Sequence, residues 1–163
     1  MNETTIDGVA TKVLGRHADE RGYFMEVGRI STDPFFAVPG VKQISTAIRQ
    51  GGPQSLTAWH LHPDQYDWWW VAEGDLEVAL IDLRTQSPTY RRVNGFRMGD
   101  RSDRDLVLKI PAGVAHGYRV RTGPARLVYL TSMDYTPAQE LRLDPGDPEL
   151  RQLYDWSRPE SAG

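Results

Sequence analysis

Glycine and proline recur along the whole chain, 15 and 11 times, and only short runs rich in aliphatic, β-branched and aromatic residues fit between them. These runs are 41–48, 66–71, 76–83, 106–110, 117–120 and 126–131. Turn residues at such intervals leave no room for long helices, so the chain is expected to be all-β, a sandwich or barrel. Residues 76–83 alternate only loosely. That suits a strand with one face on a lumen and the other under a covering layer, with Asp82 pointing inward. Helical periodicity is weak except over 147–155, where an acidic start and the spaced Leu150 and Leu153 predict a short C-terminal surface helix. The tail 157–163 is expected to be loose. The run 97–105 mixes both charge signs densely and reads as a solvated loop without a site.

At 163 residues the chain suffices for one domain, 1–163, with its own core. Hydrophobic residues at 39% and charged residues at 25% fit a soluble globular protein. A formal charge of -3 argues against a nucleic-acid partner, which selects for a clustered basic face. There is no cysteine, so a metal would need His and carboxylate ligands. The first ten residues carry Glu3 and Asp7 in place of a basic start followed by an apolar run. No stretch approaches the roughly 20 apolar residues of a membrane span. No membrane partner and a cytoplasmic location are therefore expected.

The chemistry concentrates in Trp59-His60-Leu61-His62-Pro63-Asp64-Gln65-Tyr66-Asp67, with Gly74 seven residues further on. Strand residues two apart share a face, so His60 and His62 point into one cavity, with Gln65 and Asp67 across a turn. A second segment, Pro111-Ala112-Gly113-Val114-Ala115-His116-Gly117, sets a turn and projects His116 from the next strand. A lone His is more often a structural hydrogen-bonder than a ligand. Here three of the chain's four histidines fall inside two segments, which favours a functional pocket. The two segments resemble the signature motifs of a cupin, the double-stranded β-helix or jelly-roll barrel. Asp67 stands where metal-binding cupins usually have Glu, and Gln54 where a Gly is expected.

A closer resemblance runs from about Asp19 to Pro137, to the dTDP-4-dehydrorhamnose 3,5-epimerase family. Asp19-Glu20-Arg21-Gly22-Tyr23-Phe24-Met25-Glu26 resembles its D-x-R-G-x-F-x-E segment, and Val41-Lys42-Gln43-Ile44-Ser45 its Gln-containing strand. Asp82-Leu83-Arg84 with Ser87-Pro88-Thr89 is similar to its D-x-R-x-x-S-P-T. Ile110 to Tyr118 resembles I-P-x-G-x-A-H-G-F, and Tyr129 with Tyr135-Thr136-Pro137 keeps the family's spacing. The resemblance implies a metal-free isomerase acting on a nucleotide-linked 4-keto-6-deoxy sugar. His60 would be the base, Tyr129 the acid, and Asp82 would orient His60. Arg21 would bind a nucleotide phosphate across a homodimer, while Phe24 and Glu26 border the nucleotide. Gln43 and Arg84 would contact it or brace the pocket. His62, Gln65, Asp67, His116 and Tyr135 complete the expected substrate contacts. Residues 1–40 then form N-terminal strands and a dimer arm, 41–137 the barrel, and 138–163 a C-terminal segment.

The departures are specific. The family's R-G-L-H is Thr57-Ala58-Trp59-His60 here, losing an Arg for the phosphate. Its enolate-stabilising Lys is replaced at about Asp67, and the C-terminal segment that supplies an Asp partner for the base is expected to be missing or shortened. Trp68-Trp69-Trp70 alternate in direction, to stack on a ligand or to fill the barrel or a dimer interface. Tyr129 on residue type alone is equally a buried hydrogen-bonder. Two alternatives to the epimerase follow: a metal-dependent cupin holding one divalent ion with His60, His62, Asp67 and His116, or a non-catalytic sugar-binding cupin.

Overall fold

The computed structural model describes residues 4–158. Residues 1–3 and most of the tail expected to be loose lie outside the described residues. In chain order the elements are β1 (Ala10–Val13), β2 (Arg16–Asp19), β3 (Gly22–Met25), α1 (Pro34–Ala37), β4 (Gln43–Arg49), β5 (Thr57–Leu61) and β6 (Asp67–Asp82). There follow β7 (Val93–Gly99), β8 (Leu106–Ile110), β9 (Val114–Thr131), β10 (Leu141–Arg142) and α2 (Pro148–Leu153). Among the described residues no helix is long and apolar enough to cross a membrane.

Two long antiparallel strands, β6 and β9, run side by side and bend together. Asp67 to Val71 pair with Thr131 to Leu127, the register then slips around Glu73 and Asp75, and Leu76 to Asp82 pair with Val120 to Val114. The bend has a steric cause. Gly74 sits at φ +86°, and a Cβ there would lie 2.5 Å from the Pro124 carbonyl oxygen. Only glycine accepts both the left-handed backbone and that approach. The runs at 66–71 and 76–83 thus belong to one bent strand, as do those at 117–120 and 126–131.

Bending the shared ladder folds one sheet into two facing halves. The first is ordered β1-β8-β6-β9-β4 and the second β7-β6-β9-β5-β10. Their inner faces interdigitate as in a β-sandwich. Trp69, Val71, Leu108 and Leu127 from the first meet Leu76, Val78, Leu80, Phe96, Met98 and Tyr118 from the second. Each such side chain contributes about 1.5–3 kcal/mol on burial. The architecture is the all-β jelly-roll barrel expected, and β1 brings part of the N-terminal arm into it.

The slip around Gly74 also reverses which parity of β6 faces inward, odd before it and even after. Trp69 therefore lines the lumen while Trp68 packs outside with Leu14, Phe36, Val107 and Leu130. The covering layer expected over 76–83 is α2 with Trp156: Leu150 and Trp156 close over Trp59, Ala79, Ile81 and Ala115. Asp147 caps α2 by accepting from the Glu149 and Leu150 amides at 2.8 and 3.1 Å. The charged run at 97–105 is only partly a loop. Arg97 to Gly99 end β7, and the Arg97 guanidinium makes two 2.9 Å bonds to buried Asp75.

Candidate active site

A cavity of about 420 Å³ lies between the two half-sheets, and most of the residues singled out in the sequence converge on it. His60 comes from β5, His62 follows it, Asp67 starts β6, His116 lies near the start of β9 and Tyr129 near its end. Gln43, Gln65 and Tyr135 complete the expected set that lines the cavity. The ladders place His60 opposite His116 in one half-sheet, and Tyr129 opposite Ser45 and Trp69 in the other. His60 and Tyr129 thus belong to facing walls.

His60 is held by two neighbours that sequence reasoning missed. On β10, Arg142 pairs with it across the ladder, and just before that strand Glu140 brings Oε2 to 3.9 Å from His60 Nδ1. Arg142 Nε donates to Glu140 Oε1 at 2.7 Å, fixing the carboxylate. Burial pushes the imidazole below its ordinary pKa, Glu140 opposes that shift, and Arg142 and His62 add to it. His60 is therefore neutral at neutral pH and carries a free lone pair. For Glu140, burial pulls upward, but the Arg142 bond and the nearby histidines outweigh it and keep the group ionised.

The deeper wall is aromatic and polar together. The His62 and His116 rings stack at 5.3 Å, and the edge of Trp69 meets His116 at 5.1 Å. Asp67 Oδ1 accepts from Gln65 Nε2 at 2.7 Å and Oδ2 from the Trp69 indole at 3.2 Å. Burial raises the Asp67 carboxyl and drives His116 down to about 3. At the rim, Arg49 and Arg142 provide two cations. Arg49 was findable, since it shares the inward parity of Gln43 and Ala47 on β4. Glu140 and Arg142 lie at a two-residue strand that leaves no periodic signal.

Five expected residues are placed elsewhere. Asp82, at the other end of β6 from Asp67, does not line the cavity and does not orient His60. Its carboxylate accepts from Arg84 at 2.8 and 2.9 Å and from Ser87 and Thr89 at 2.6 Å each. Arg84 is committed to that pair and to the Asp7 carbonyl and does not line the cavity. Arg21, Phe24 and Glu26 lie on or beside the exposed β2–β3 hairpin, away from the cavity of their own chain. Arg21 pairs with Asp19 at 2.6 Å, Glu26 with Arg29 at 2.9 Å, and Phe24 is 67% exposed.

A jelly-roll barrel with a neutral, half-buried histidine facing a tyrosine across a polar cavity defines a cupin-type small-molecule site suited to proton transfer. The family model for dTDP-4-dehydrorhamnose 3,5-epimerase matches residues 3–161, and the chain belongs to that family of isomerases. It is 38% identical over 135 residues to the spore coat polysaccharide biosynthesis protein SpsL of Bacillus subtilis, covering 82% of this chain and 85% of that one. It is 30% identical over 158 residues to a dTDP-4-dehydrorhamnose 3,5-epimerase of Streptomyces griseus, covering 92% and 75%. Among solved structures, ChmJ, a 3'-monoepimerase from Streptomyces bikiniensis in complex with dTDP-quinovose, superposes with a TM-score of 0.79 at 29% identity, covering 92% and 76%. A double mutant of ChmJ, one His changed to Asn and one Tyr to Phe, is in complex with dTDP; its TM-score is 0.78 at 26% identity, with the same coverage.

Proposed function

We propose that this protein epimerises a nucleotide-linked 4-keto-6-deoxy sugar, with His60 as base and Tyr129 as acid. The observation that carries the reading is the placement of a neutral His60 and of Tyr129, both half-buried, on opposite walls of one cavity. A proton on the carbon next to the keto group passes to His60, its C–H electrons become the enolate, and Tyr129 returns a proton from the other face, inverting the carbon. Glu140 stabilises the imidazolium formed on the way, the role expected of the family's C-terminal Asp. Arg49 and Arg142 meet the diphosphate in place of the Arg lost at Thr57. None of these steps calls on a redox cofactor.

The ChmJ complexes support the ligand class, and the ChmJ His and Tyr substitutions support the choice of residue types. A homodimer in which Arg21, Phe24 and Glu26 reach a neighbouring site, the one-domain division at 40 and 137, and a cytoplasmic location belong to the same proposal. The test is solvent-deuterium incorporation into dTDP-4-keto-6-deoxyglucose followed by mass spectrometry. Wild-type protein is expected to label the carbons flanking the ketone, while His60→Asn and Tyr129→Phe fall by at least about a thousandfold. Unlabelled sugar, across several nucleotide-linked keto sugars, would overturn the epimerase and leave the metal-dependent and the sugar-binding cupin.

A further inference from the structure

The outer face of the second half-sheet carries a buried polar network that the proton transfers do not use. Glu77 on β6 is 2% exposed and stands opposite Arg119 of β9. A carboxylate taken out of water needs hydrogen-bond partners for its oxygens. Arg119 Nε donates to Glu77 Oε2 and the Tyr154 hydroxyl donates to Oε1. The Arg119 guanidinium also donates to the Trp156 carbonyl at 2.8 Å and to the Arg158 carbonyl at 3.1 Å. Burial, reinforced by Glu77, raises the Tyr154 phenol above its ordinary range, so it stays a donor. None of the three residues lines the cavity.

The partners outside the sheet all belong to one stretch, 140–158, which crosses the outer face as a strap. Its other end reaches the site. Trp59 and Leu143 exchange backbone bonds of 3.2 and 3.0 Å, Arg142 pairs with His60, and Glu140 stands beside the base. β10 has two residues and, among the described residues, pairs with β5 alone, so its own ladder holds it weakly. Aromatic contacts join the strap to the strand that bears the base. Tyr154 meets Trp59 edge-on at 6.0 Å and Trp156 at 4.7 Å, and Trp156 lies 5.2 Å from Trp59. Apolar packing of this kind tolerates small shifts, whereas a satisfied network around a buried carboxylate specifies one position.

We propose that Glu77, Arg119 and Tyr154 are positioning residues for the proton transfer, a clasp that fixes the strap and through it sets Glu140 against His60. The inference rests on the epimerase reading. Glu140 Oε2 lies 3.9 Å from His60 Nδ1, near enough to stabilise an imidazolium and dependent on the strap for that distance. A misplacement of about 1 Å in such a group costs up to about a hundredfold in rate.

The test compares Tyr154→Phe, which deletes only the hydroxyl, with Leu153→Ala, which loosens the same strap through apolar contact alone. Deuterium exchange on dTDP-4-keto-6-deoxyglucose should show kcat about tenfold lower in Tyr154→Phe, with KM within about twofold of wild type. Leu153→Ala should lower the urea midpoint and leave kcat unchanged. In a Glu140→Gln background Tyr154→Phe should cost nothing further, since the group it positions is already disabled. Arg119→Gln should match Tyr154→Phe; should it fail to fold, Tyr154→Phe decides. A readout that needs no substrate is the nitrogen NMR signal of the His60 imidazole, assigned by its loss in His60→Asn. Tyr154→Phe should shift it in the direction that Glu140→Gln does, and Leu153→Ala should leave it in place. An unchanged kcat in Tyr154→Phe, an equal loss in Leu153→Ala, or losses that multiply with Glu140→Gln would overturn the clasp. Wild-type protein that labels no keto sugar sinks the epimerase, and the clasp then stands or falls on the His60 signal.

Discussion

Glu140 and Arg142 pull the His60 imidazole in opposite directions, and this opposition is measurable. Glu140 raises the pKa of His60 and Arg142 lowers it, both acting on a group that burial has already pushed down. The base works only when neutral, so the acid limb of kcat/KM for deuterium exchange follows the His60 pKa. Glu140→Gln should move that limb to lower pH and, by weakening the base, cut kcat about tenfold at neutral pH. Arg142→Gln should move it to higher pH; limbs that shift the same way in both variants would remove Glu140 from this role. Asp82 makes a contrasting case. Burial alone would raise its carboxyl, but Arg84, Ser87 and Thr89 outweigh that and hold it well below the ordinary range. A depressed folded pKa contributes stability that is fully present above the unfolded value near 3.9 and is lost as pH falls below it. Asp82→Asn should therefore cost about 3 kcal/mol in urea unfolding at pH 7 and progressively less below about pH 4, with little change in KM. Both residues are polar and close to site motifs in sequence, and only the fold separates the one beside the base from the one bracing the barrel's far end.

The bend at Gly74 decides which strand residues see the cavity. Before it the odd positions of β6 face inward and after it the even ones do, so Asp67, Trp69, Leu76 and Leu80 share one lumen. Gly74→Ala sets a Cβ against the Pro124 carbonyl and forces a side chain into the left-handed region. The expected cost is about 3 kcal/mol from strain and overpacking together, read as a lower urea midpoint with an unchanged slope. The strand runs, the C-terminal helix and the paired His segments were legible because each has a local signature of period 2, capping acid or His spacing. The continuity of β6 and β9 was not, since a slip of register looks in sequence like the end of a strand. Nor was β10, where Leu141 and Arg142 earn their pairing with Leu61 and His60 from the barrel wall and not from propensity. The site was legible to the extent that its residues sit on strands long enough to show parity.

At the scale of the molecule, one chain leaves two surfaces that ask for a partner. Among the described residues β4 pairs only with β9, and Ile44 and Ile48 on its outward face are 65% and 48% exposed, an apolar strip that isolated proteins usually cover. The β2–β3 hairpin carries Arg21 and Phe24 out into solvent, away from its own cavity. A two-fold dimer that buries β4 and delivers each hairpin to the other chain's site accounts for both. Sedimentation should give a dimer, and Ile44→Asp with Ile48→Asp a monomer with weakened nucleotide-sugar binding. Whether Arg21 acts in trans is decided by mixing two inactive proteins. Arg21→Ala lacks the phosphate contact and His60→Asn lacks the base, so each homodimer is silent at low substrate. If Arg21 serves the neighbouring site, subunit exchange at equal amounts makes half the dimers mixed, and one site in each has both residues intact. About a quarter of wild-type activity should then return on mixing. If Arg21 serves its own chain, or serves no site, every site in the mixture still lacks a needed group or never needed Arg21. The first case gives no recovery on mixing, and the second shows beforehand as full activity of Arg21→Ala alone.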